Sequence, residues 1–272
     1  MTRCCKCPMP AVIYQKYSGM HLCQSHFDDD VHRKVRETIR QTGLFAHGLR
    51  LALAMDGGKG SAVMANIIKE LFARRRDIDL ALLILDDHGP GAKSAWIASQ
   101  QLGLRVSIKA LPVSLLNERV ASDPAPDPIS FAQKMRMMTG LAREMGADAI
   151  ATGHDLDDMA TEVFISYLEG NICGLQYGRQ ETRPEGYEQG MIPTIQPLRR
   201  IPGKEVRLYA LQHGLCFAEM RLEDELHKEA RQELCRFDSR HPGTKYSLLR
   251  SLEKLDKERS DRSGSQRSKA FK

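Results

Sequence analysis

The chain has 272 residues and a formal net charge of +5, with 40 Lys and Arg against 35 Asp and Glu. This length suffices for one large domain with a buried core, and so small a basic excess permits nucleic-acid binding without indicating it. No apolar run approaches the roughly 18 residues of a membrane span, and cysteines and charged residues fill the start, so we expect no membrane segment and no signal peptide.

Metal-ligand residue types open the chain in two tight pairs, Cys4-x-x-Cys7 and Cys23-x-x-His26. This spacing predicts a zinc finger over residues 1–30 with a tetrahedral site, because Zn²⁺ prefers thiolate and imidazole ligands. Four protein ligands leave no open position, so the zinc is expected to be structural. Cys5 is the spare thiol, although Cys4 and Cys5 could exchange roles, and free surface cysteines are the alternative. With seven cysteines and no extracellular signal, we expect reduced thiols and a cytoplasmic protein.

Residues 31–47 are predicted to form a connecting helix, because apolar residues recur there at helical spacing. The same stretch carries several basic side chains that could contact nucleic-acid phosphate. A solvated helix face explains them equally well. The basic residues are Arg33, Lys34, Arg36 and Arg40.

Residues 48–220 alternate between short apolar runs and helical patterns. The predicted strands are 51–55, 80–85, 106–111 and 148–151, and the predicted helices between them are 61–74, 92–102 and 131–145. This alternation of buried strands and helices is typical of a doubly wound parallel α/β sheet, which is a Rossmann-like fold. Residues 221–256 are predicted as a C-terminal helical region and 257–272 as a disordered basic tail.

A glycine-rich turn, DGGKGS at 56–61, lies between the first core strand and a helix. The geometry leaves backbone N–H groups free at a helix N-terminus, where the helix dipole favours an anion such as phosphate. Glycines let the backbone approach that anion closely. The alternative is an ordinary connection of an α/β unit.

A second polar stretch, TGHDLDD at 152–158, follows the strand at 148–151. Carboxylates at the carboxyl end of a parallel strand can hold Mg²⁺ and orient a polyphosphate. The alternative is an acidic helix N-terminus, which the helix dipole alone would favour. Two such stretches in this order are a stronger indication of a nucleotide site than either alone.

On these motifs the chain resembles the PP-loop ATP pyrophosphatases that thiolate tRNA, the TtcA- and TtuA-like two-thiocytidine and two-thiouridine synthetases. The family's SGGKDS corresponds to DGGKGS here, and its TGHNLDDE corresponds to TGHDLDDM at 152–159. The resemblance extends over roughly residues 1–256 and includes an N-terminal zinc finger. Further matching stretches are VRETIRQTGLF, LDDHGPG, IQPLRRIPGKEV and HPGTKYSLLRSLEKL.

The resemblance implies an adenine nucleotide alpha hydrolase-like fold, ATP and Mg²⁺ as cofactors, and tRNA as a partner. It implies catalytic roles for Lys59, Lys134 and Asp158. Family members are often dimers, so a homodimer is one expectation. The implied nucleotide-binding residues are Met55, Asp56, Gly57, Gly58, Lys59, Gly60, Ser61, Asp86, Thr152, Gly153, His154 and Asp157.

The thiouridine branch of the family holds an iron–sulfur cluster with three cysteines, and this chain departs from that pattern. Counting without gaps places Asp127, Ser130 and a position near Leu222 where those cysteines should stand. Iron–sulfur clusters are held by thiolates, so we predict no cluster. The three cysteines outside the N-terminal segment are expected to be buried structural thiols. They are Cys173, Cys216 and Cys235.

Two further departures lie in the glycine-rich loop itself. The family serine is Asp56 here and the family aspartate is Gly60. Asp56 puts a negative charge where phosphate is expected, at a cost of about 4 kcal/mol at close range, and Mg²⁺ between the two would reverse that sign.

The resemblance implies that ATP adenylates a nucleobase carbonyl of tRNA and that a sulfur donor or sulfur-carrier protein then displaces AMP. We expect this chemistry without a cluster. One alternative is a catalytically degenerate relative that binds nucleotide or tRNA or partners an active paralogue. Another is an adenylating enzyme that acts on a substrate other than RNA.

Overall fold

The structure is a computed structural model that describes residues 2–86, 90–110, 131–170, 192–219 and 225–255. Within these ranges, no helix combines the length and the apolar character that crossing a lipid bilayer would require.

The core is a five-stranded, fully parallel sheet with the strand order β5-β4-β3-β6-β7. Three of its strands extend one or two residues beyond the predicted limits, and the short β7 was not predicted. The strands are β3 (Leu49–Met55), β4 (Ile78–Asp86), β5 (Arg105–Ala110), β6 (Ala149–Ala151) and β7 (Thr194–Ile195).

Helices cover both faces of this sheet, which confirms the predicted doubly wound architecture. On one face lie α1 (Gln24–Gln41), α2 (Lys59–Phe72), α3 (Pro90–Leu102) and α6 (Gly203–Gln212). The opposite face is covered by α4 (Phe131–Glu144). The sequence of β3 explains the two layers, because its alternate residues are large on one face and small on the other. The large residues are Leu51, Leu53 and Met55, and the small ones are Ala52 and Ala54.

The N-terminal segment forms a small antiparallel hairpin that leads directly into α1. The hairpin strands are β1 (Ile13–Gln15) and β2 (Met20–Leu22), and Gly19 adopts a left-handed φ of 68° at the turn. α1 begins at Gln24, inside the segment predicted as the zinc finger. The finger and the connecting helix therefore share one continuous helix, and no break occurs near residue 30.

Three helices gather beyond β6. They are α5 (Leu156–Leu168), α7 (Glu225–Arg240) and α8, a helix described over residues 244–255. Small apolar clusters join α8 to α5: Leu156 and Met159 pack with Leu249, and Val163 packs with Leu252. The C-terminal helices are thereby attached to the element that follows the second polar stretch.

The strand order reverses between β3 and β6, because β4 and β5 extend to one side of β3 while β6 and β7 extend to the other. In open parallel sheets, ligands bind in the crevice outside the carboxyl ends of the strands at such a reversal. The glycine-rich loop follows β3 and the acidic stretch follows β6, so the topology brings the two motifs to one edge of the sheet.

Candidate nucleotide site and metal centre

The four predicted zinc ligands form one compact group. The sulfurs of Cys7 and Cys23 are 3.5 Å apart, and His26 Nδ1 lies 3.3 Å from Cys23 Sγ and 3.5 Å from Cys4 Sγ. All four ligand atoms lie within 4.8 Å of one another. Tetrahedral zinc with bonds of about 2.3 Å to sulfur places ligand atoms roughly 3.8 Å apart, so the donor set and its spacing fit Zn²⁺. Cys5 is exposed and lies outside the group.

Replacing Cys23 with serine is expected to abolish zinc binding and to lower the melting temperature by about 5–10 °C. Cys23 is buried and provides one of the four ligands, so its loss opens the site. Elemental analysis of purified protein and thermal unfolding measure the two effects. The matched control is Cys5→Ser, which should retain about one zinc per chain. Full zinc content in the Cys23 variant would contradict this assignment.

A buried polar network connects the zinc-finger hairpin to α6. Gln15 Nε2 and the Tyr17 hydroxyl both donate to Glu205 Oε2, at 3.2 and 3.1 Å. Lys34 Nζ donates to the Tyr17 hydroxyl at 2.6 Å and lies 3.6 Å from the same Glu205 oxygen. Lys34 is 9% exposed, so the expectation that it could contact nucleic-acid phosphate is wrong. Burial, opposed mainly by the charge of Lys34, raises the pKa of Glu205.

The glycine-rich loop joins β3 to α2 as predicted. The side chain of its first residue, Asp56, forms hydrogen bonds within the loop. Asp56 Oδ1 accepts from Gly58 N at 2.9 Å and from Ser61 Oγ at 2.5 Å. These donors lie at the N-terminus of α2, where a phosphate would be favoured. The carboxylate that replaces the family serine therefore occupies the loop's own anion-binding donors.

The second motif contacts the glycine-rich loop backbone to backbone. A Cβ on Gly60 would lie 2.0 Å from the carbonyl oxygen of Gly153, and a Cβ on Gly153 would lie 2.2 Å from Ser61 N. Real Cβ atoms do not approach other atoms so closely, so both positions require glycine. The departure from the family aspartate at position 60 thus coincides with a very close approach of the two motifs.

A lysine crosses the gap between the two motifs. Lys59 Nζ donates to Asp155 Oδ2 at 2.6 Å, and Asp155 is fully buried. The other oxygen, Asp155 Oδ1, accepts from the backbone N–H groups of Asp157 and Asp158 and so caps α5. Burial and the neighbouring acids raise the pKa of Asp155 to about 6, with Lys59 opposing them. The ammonium of Lys59 favours the ionised form of this carboxylate.

Asp155 was not among the predicted site residues, although its spacing carried a signal. Asp155 and Asp158 form a capping box, in which Asp158 Oδ2 accepts in return from Asp155 N at 2.9 Å. An acidic residue three positions after a polar N-cap is the sequence pattern of this motif.

Asp157 and Asp158 each face a cation from the C-terminal helices. Arg231 Nη2 on α7 lies 2.9 Å from Asp158 Oδ1, and Lys245 Nζ on α8 lies 3.1 Å from Asp157 Oδ1. Sequence reasoning missed both cations, because nothing in the spacing of Arg231 or Lys245 indicates a contact with residues so far away in the chain. The acids remain partly accessible, at 20% for Asp157 and 19% for Asp158.

The remaining predicted nucleotide-binding residues lie at the same edge of the sheet, or their side chains are not described by the structure. Met55 is the buried last residue of β3, and Thr152 Oγ1 lies 2.8 Å from His154 Nδ1 just after β6. For Lys134 in α4 and Asp86 at the end of β4, the structure describes the backbone only. Their predicted roles therefore stay predictions.

The predictions about cysteines outside the finger have a mixed outcome. Cys235 is exposed and Cys216 is half-buried, so the prediction that they are buried structural thiols is wrong. The other positions in that argument lie outside the described residues: Asp127, Ser130, Cys173 and Leu222.

Comparisons with known proteins agree with this arrangement. The N-terminal LIM domain of 2-thiouridine synthetase TtuA matches residues 3–28. The chain is 30% identical to the tRNA 2-thiolation protein NcsA of Haloferax volcanii, over 93% of this chain and 86% of that protein. It is 30% identical to the tRNA-5-methyluridine(54) 2-sulfurtransferase of Pyrococcus horikoshii, over 94% of this chain and 83% of that protein.

A solved structure is similar over almost the whole chain. It is the U34-tRNA thiolase NcsA from Methanococcus maripaludis, solved with its [4Fe-4S] cluster. The match has a TM-score of 0.81 and 28% sequence identity, and it covers 94% of this chain and 88% of that one.

Proposed function

Since the chain belongs to the family of TtuA- and NcsA-like tRNA 2-thiolation proteins, we propose that it is an ATP-dependent enzyme that adenylates a nucleobase carbonyl of tRNA for sulfur transfer. One observation carries the ATP dependence. The Lys59–Asp155 pair, at 2.6 Å, joins the glycine-rich loop to the acidic motif at the edge of the sheet where the strand order reverses. A helix N-terminus with a lysine and neighbouring acids is suited to a nucleoside triphosphate.

In the proposed reaction, the carbonyl oxygen of the base attacks the α-phosphorus of ATP and pyrophosphate leaves. A sulfur nucleophile then attacks the carbon that carries this oxygen, and AMP leaves with the oxygen. Lys59 would stabilise the charge that develops on the phosphate in the first step, because it is the first residue of α2 and its ammonium lies between the two motifs. Lys134 and Asp158 would complete the catalytic set.

The acids of the second motif fit a divalent cation. The side chains of Asp157 and Asp158 are partly accessible, and carboxylate oxygens are the hard ligands that Mg²⁺ prefers. When bound, Mg²⁺ would neutralise phosphate charge and orient the leaving group. Asp155 is unsuited to this role, since its two oxygens are engaged with Lys59 and with the α5 N-terminus.

We propose that the chain works without an iron–sulfur cluster. The support is the donor chemistry, because aspartate, serine and leucine stand at the positions counted for cluster cysteines. A sulfide, a persulfide or a sulfur-carrier protein would then deliver sulfur directly.

The broader proposal follows the family. We place the reaction in the cytoplasm, because thiols stay reduced there. A relative from Chlamydomonas reinhardtii is named cytoplasmic tRNA 2-thiolation protein 1, which supports this placement. Residues 48–220 would form the nucleotide-binding domain, with the finger at 1–30 and the helical region at 221–256 as appendages and the tail following at 257–272. A homodimer is part of the same proposal.

One observation favours a second candidate, a catalytically degenerate relative that binds nucleotide or tRNA. The Asp56 carboxylate already occupies the donors of Gly58 and Ser61. A phosphate would have to displace it or share Mg²⁺ with it, which weakens binding to the loop.

Pyrophosphate release from ATP and Mg²⁺, measured with and without bulk tRNA, separates these functions. The proposed enzyme should release pyrophosphate only with tRNA, and Lys134→Ala and Asp158→Ala should each lower the rate about 100-fold or more. The matched control is Lys228→Ala, which removes an exposed ion pair with Glu225. Release without tRNA would indicate a different substrate, and bound ATP without release would establish the degenerate relative.

A further inference from the structure

We propose that Arg231 and Lys245 are positioning residues. They hold Asp158 and Asp157 in the nucleotide-free protein and release these acids to a divalent cation when nucleotide binds. This inference rests on the proposed function and assigns roles in it to the C-terminal helices α7 and α8. Both residues would act through the motif acids.

Arg231 holds Asp158 in a defined orientation. Its guanidinium Nη2 lies 2.9 Å from Asp158 Oδ1, and the side chains of both residues are 19% exposed. The second oxygen, Asp158 Oδ2, accepts from Asp155 N. Each oxygen of the predicted catalytic acid therefore has a donor, and a cation that binds Asp158 through Oδ1 has to compete with Arg231.

Lys245 is more deeply buried than Arg231. Its side chain is 9% exposed, and Nζ lies 3.1 Å from Asp157 Oδ1 and donates to Cys235 Sγ at 3.1 Å. Burial opposes the charge, but Asp157 and then Cys235 raise the pKa of Lys245, so the amine stays cationic. A buried ammonium at this distance competes for Asp157 in the same way.

Among the described residues, each acid of the motif faces a cation, and the three cations come from three different elements. Asp155 faces Lys59 of α2, and the other two acids face the cations of α7 and α8. A polyphosphate adds negative charge to this group. A divalent cation bound at Asp157 and Asp158 would offset part of that added charge.

A purely structural role explains these pairs less well. Apolar contacts already attach α8 to α5, through Leu249 on Met159 and Leu252 on Val163. His227 Nε2, one turn before Arg231 on α7, lies 3.0 Å from Glu162 Oε1 and attaches α7 to α5. The two helices therefore have other anchors, and the cations are directed at the acids that the proposed reaction uses.

The test is the Mg²⁺ concentration that gives half-maximal ATP binding, measured by isothermal titration calorimetry on the full chain without tRNA. Arg231→Gln and Lys245→Gln should each lower this concentration about tenfold, because Mg²⁺ no longer competes with a protein cation for its acid. Arg231→Lys keeps a competing charge and should stay close to wild type. The matched control on the same helix is Lys228→Gln, which should be unchanged.

An unchanged or higher Mg²⁺ requirement in Arg231→Gln would overturn the inference, as would an equal loss of ATP affinity at every Mg²⁺ concentration. The second result is what a structural role alone predicts, and thermal unfolding of each variant monitors the fold. Failure of the wild-type chain to bind ATP at any Mg²⁺ concentration would overturn the proposed function and this inference with it. Binding by the wild type with no shift in the variants would overturn the inference alone.

Discussion

Replacing Lys59 with methionine is expected to lower tRNA-dependent pyrophosphate release about 100- to 1,000-fold. Lys59 is the first residue of α2, and its ammonium lies 2.6 Å from Asp155 across the gap between the two motifs. Removing a preorganised cation from the phosphate-binding edge removes charge stabilisation in the transition state. The rate at saturating ATP measures this loss. Lys69→Met, near the other end of the same helix, is the matched control and should keep the wild-type rate.

Lys59→Met would also lower the rate of pyrophosphate release by destabilising the fold, and the experiment must separate this effect from the loss of charge stabilisation. Asp155 is fully buried, so the loss of its lysine partner would destabilise the fold by about 3–5 kcal/mol. The double variant Lys59→Met/Asp155→Asn removes both charges, and asparagine can still cap α5. We expect the double variant to recover most of the melting temperature but none of the activity. Recovery of activity would show that Lys59 serves the fold alone, and a rate within about threefold of wild type in the single variant would contradict its role.

The parts of this fold that could be predicted are those whose signals are local in the chain. The strand that ends at Met55 is a buried apolar run, and the loop after it is marked by its glycines. Spacing alone predicts the zinc-finger ligands, which are Cys4, Cys7, Cys23 and His26. In each case neighbouring residues carry the whole signal, so one sequence suffices.

The parts that could not be predicted depend on which side of an element meets another element. Lys34 and Arg33 are adjacent on α1, yet Lys34 is buried against Tyr17 and Glu205 while Arg33 is exposed. The helical pattern places apolar residues inward, but it does not reveal that Glu205 on α6 lies opposite Lys34. A buried network of this kind is set by tertiary packing, which composition and periodicity do not encode.

The same limit explains the missed cations of the acidic motif. Arg231 lies in a helix with many charged residues, among which nothing distinguishes the one that reaches Asp158. Lys245 lies in a stretch that resembles the family, so sequence could indicate that the stretch matters but not that Asp157 is its partner. Cys235 was expected to be buried, but it is exposed, and its sulfur accepts from Lys245 Nζ of α8.

Substituting Gly60 with alanine is expected to weaken binding of Mg²⁺–ATP at least tenfold and to destabilise the fold by about 1–3 kcal/mol. The added Cβ would lie 2.0 Å from the carbonyl oxygen of Gly153. Both partners are backbone, so neither can turn away as a side chain would. The helix N-terminus and the turn after β6 must separate by more than about 1 Å to reach ordinary contact distance. That separation would stretch the Lys59–Asp155 pair that joins the same two segments.

Calorimetric titration of ATP and thermal unfolding measure the two effects, with Gly140→Ala as the matched control. Gly140 lies in α4, and apart from the backbone of that helix no atom of the described residues lies within 4 Å of its added Cβ. Alanine there should therefore be neutral or stabilise the helix by up to about 1 kcal/mol. Gly60→Asp restores the family residue and should be at least as harmful as alanine, because its larger side chain meets the same carbonyl. ATP binding by Gly60→Asp at wild-type affinity would contradict this account. It would mean that the turn at Gly153 yields, and that the close approach is a property of the nucleotide-free protein rather than a requirement of its site.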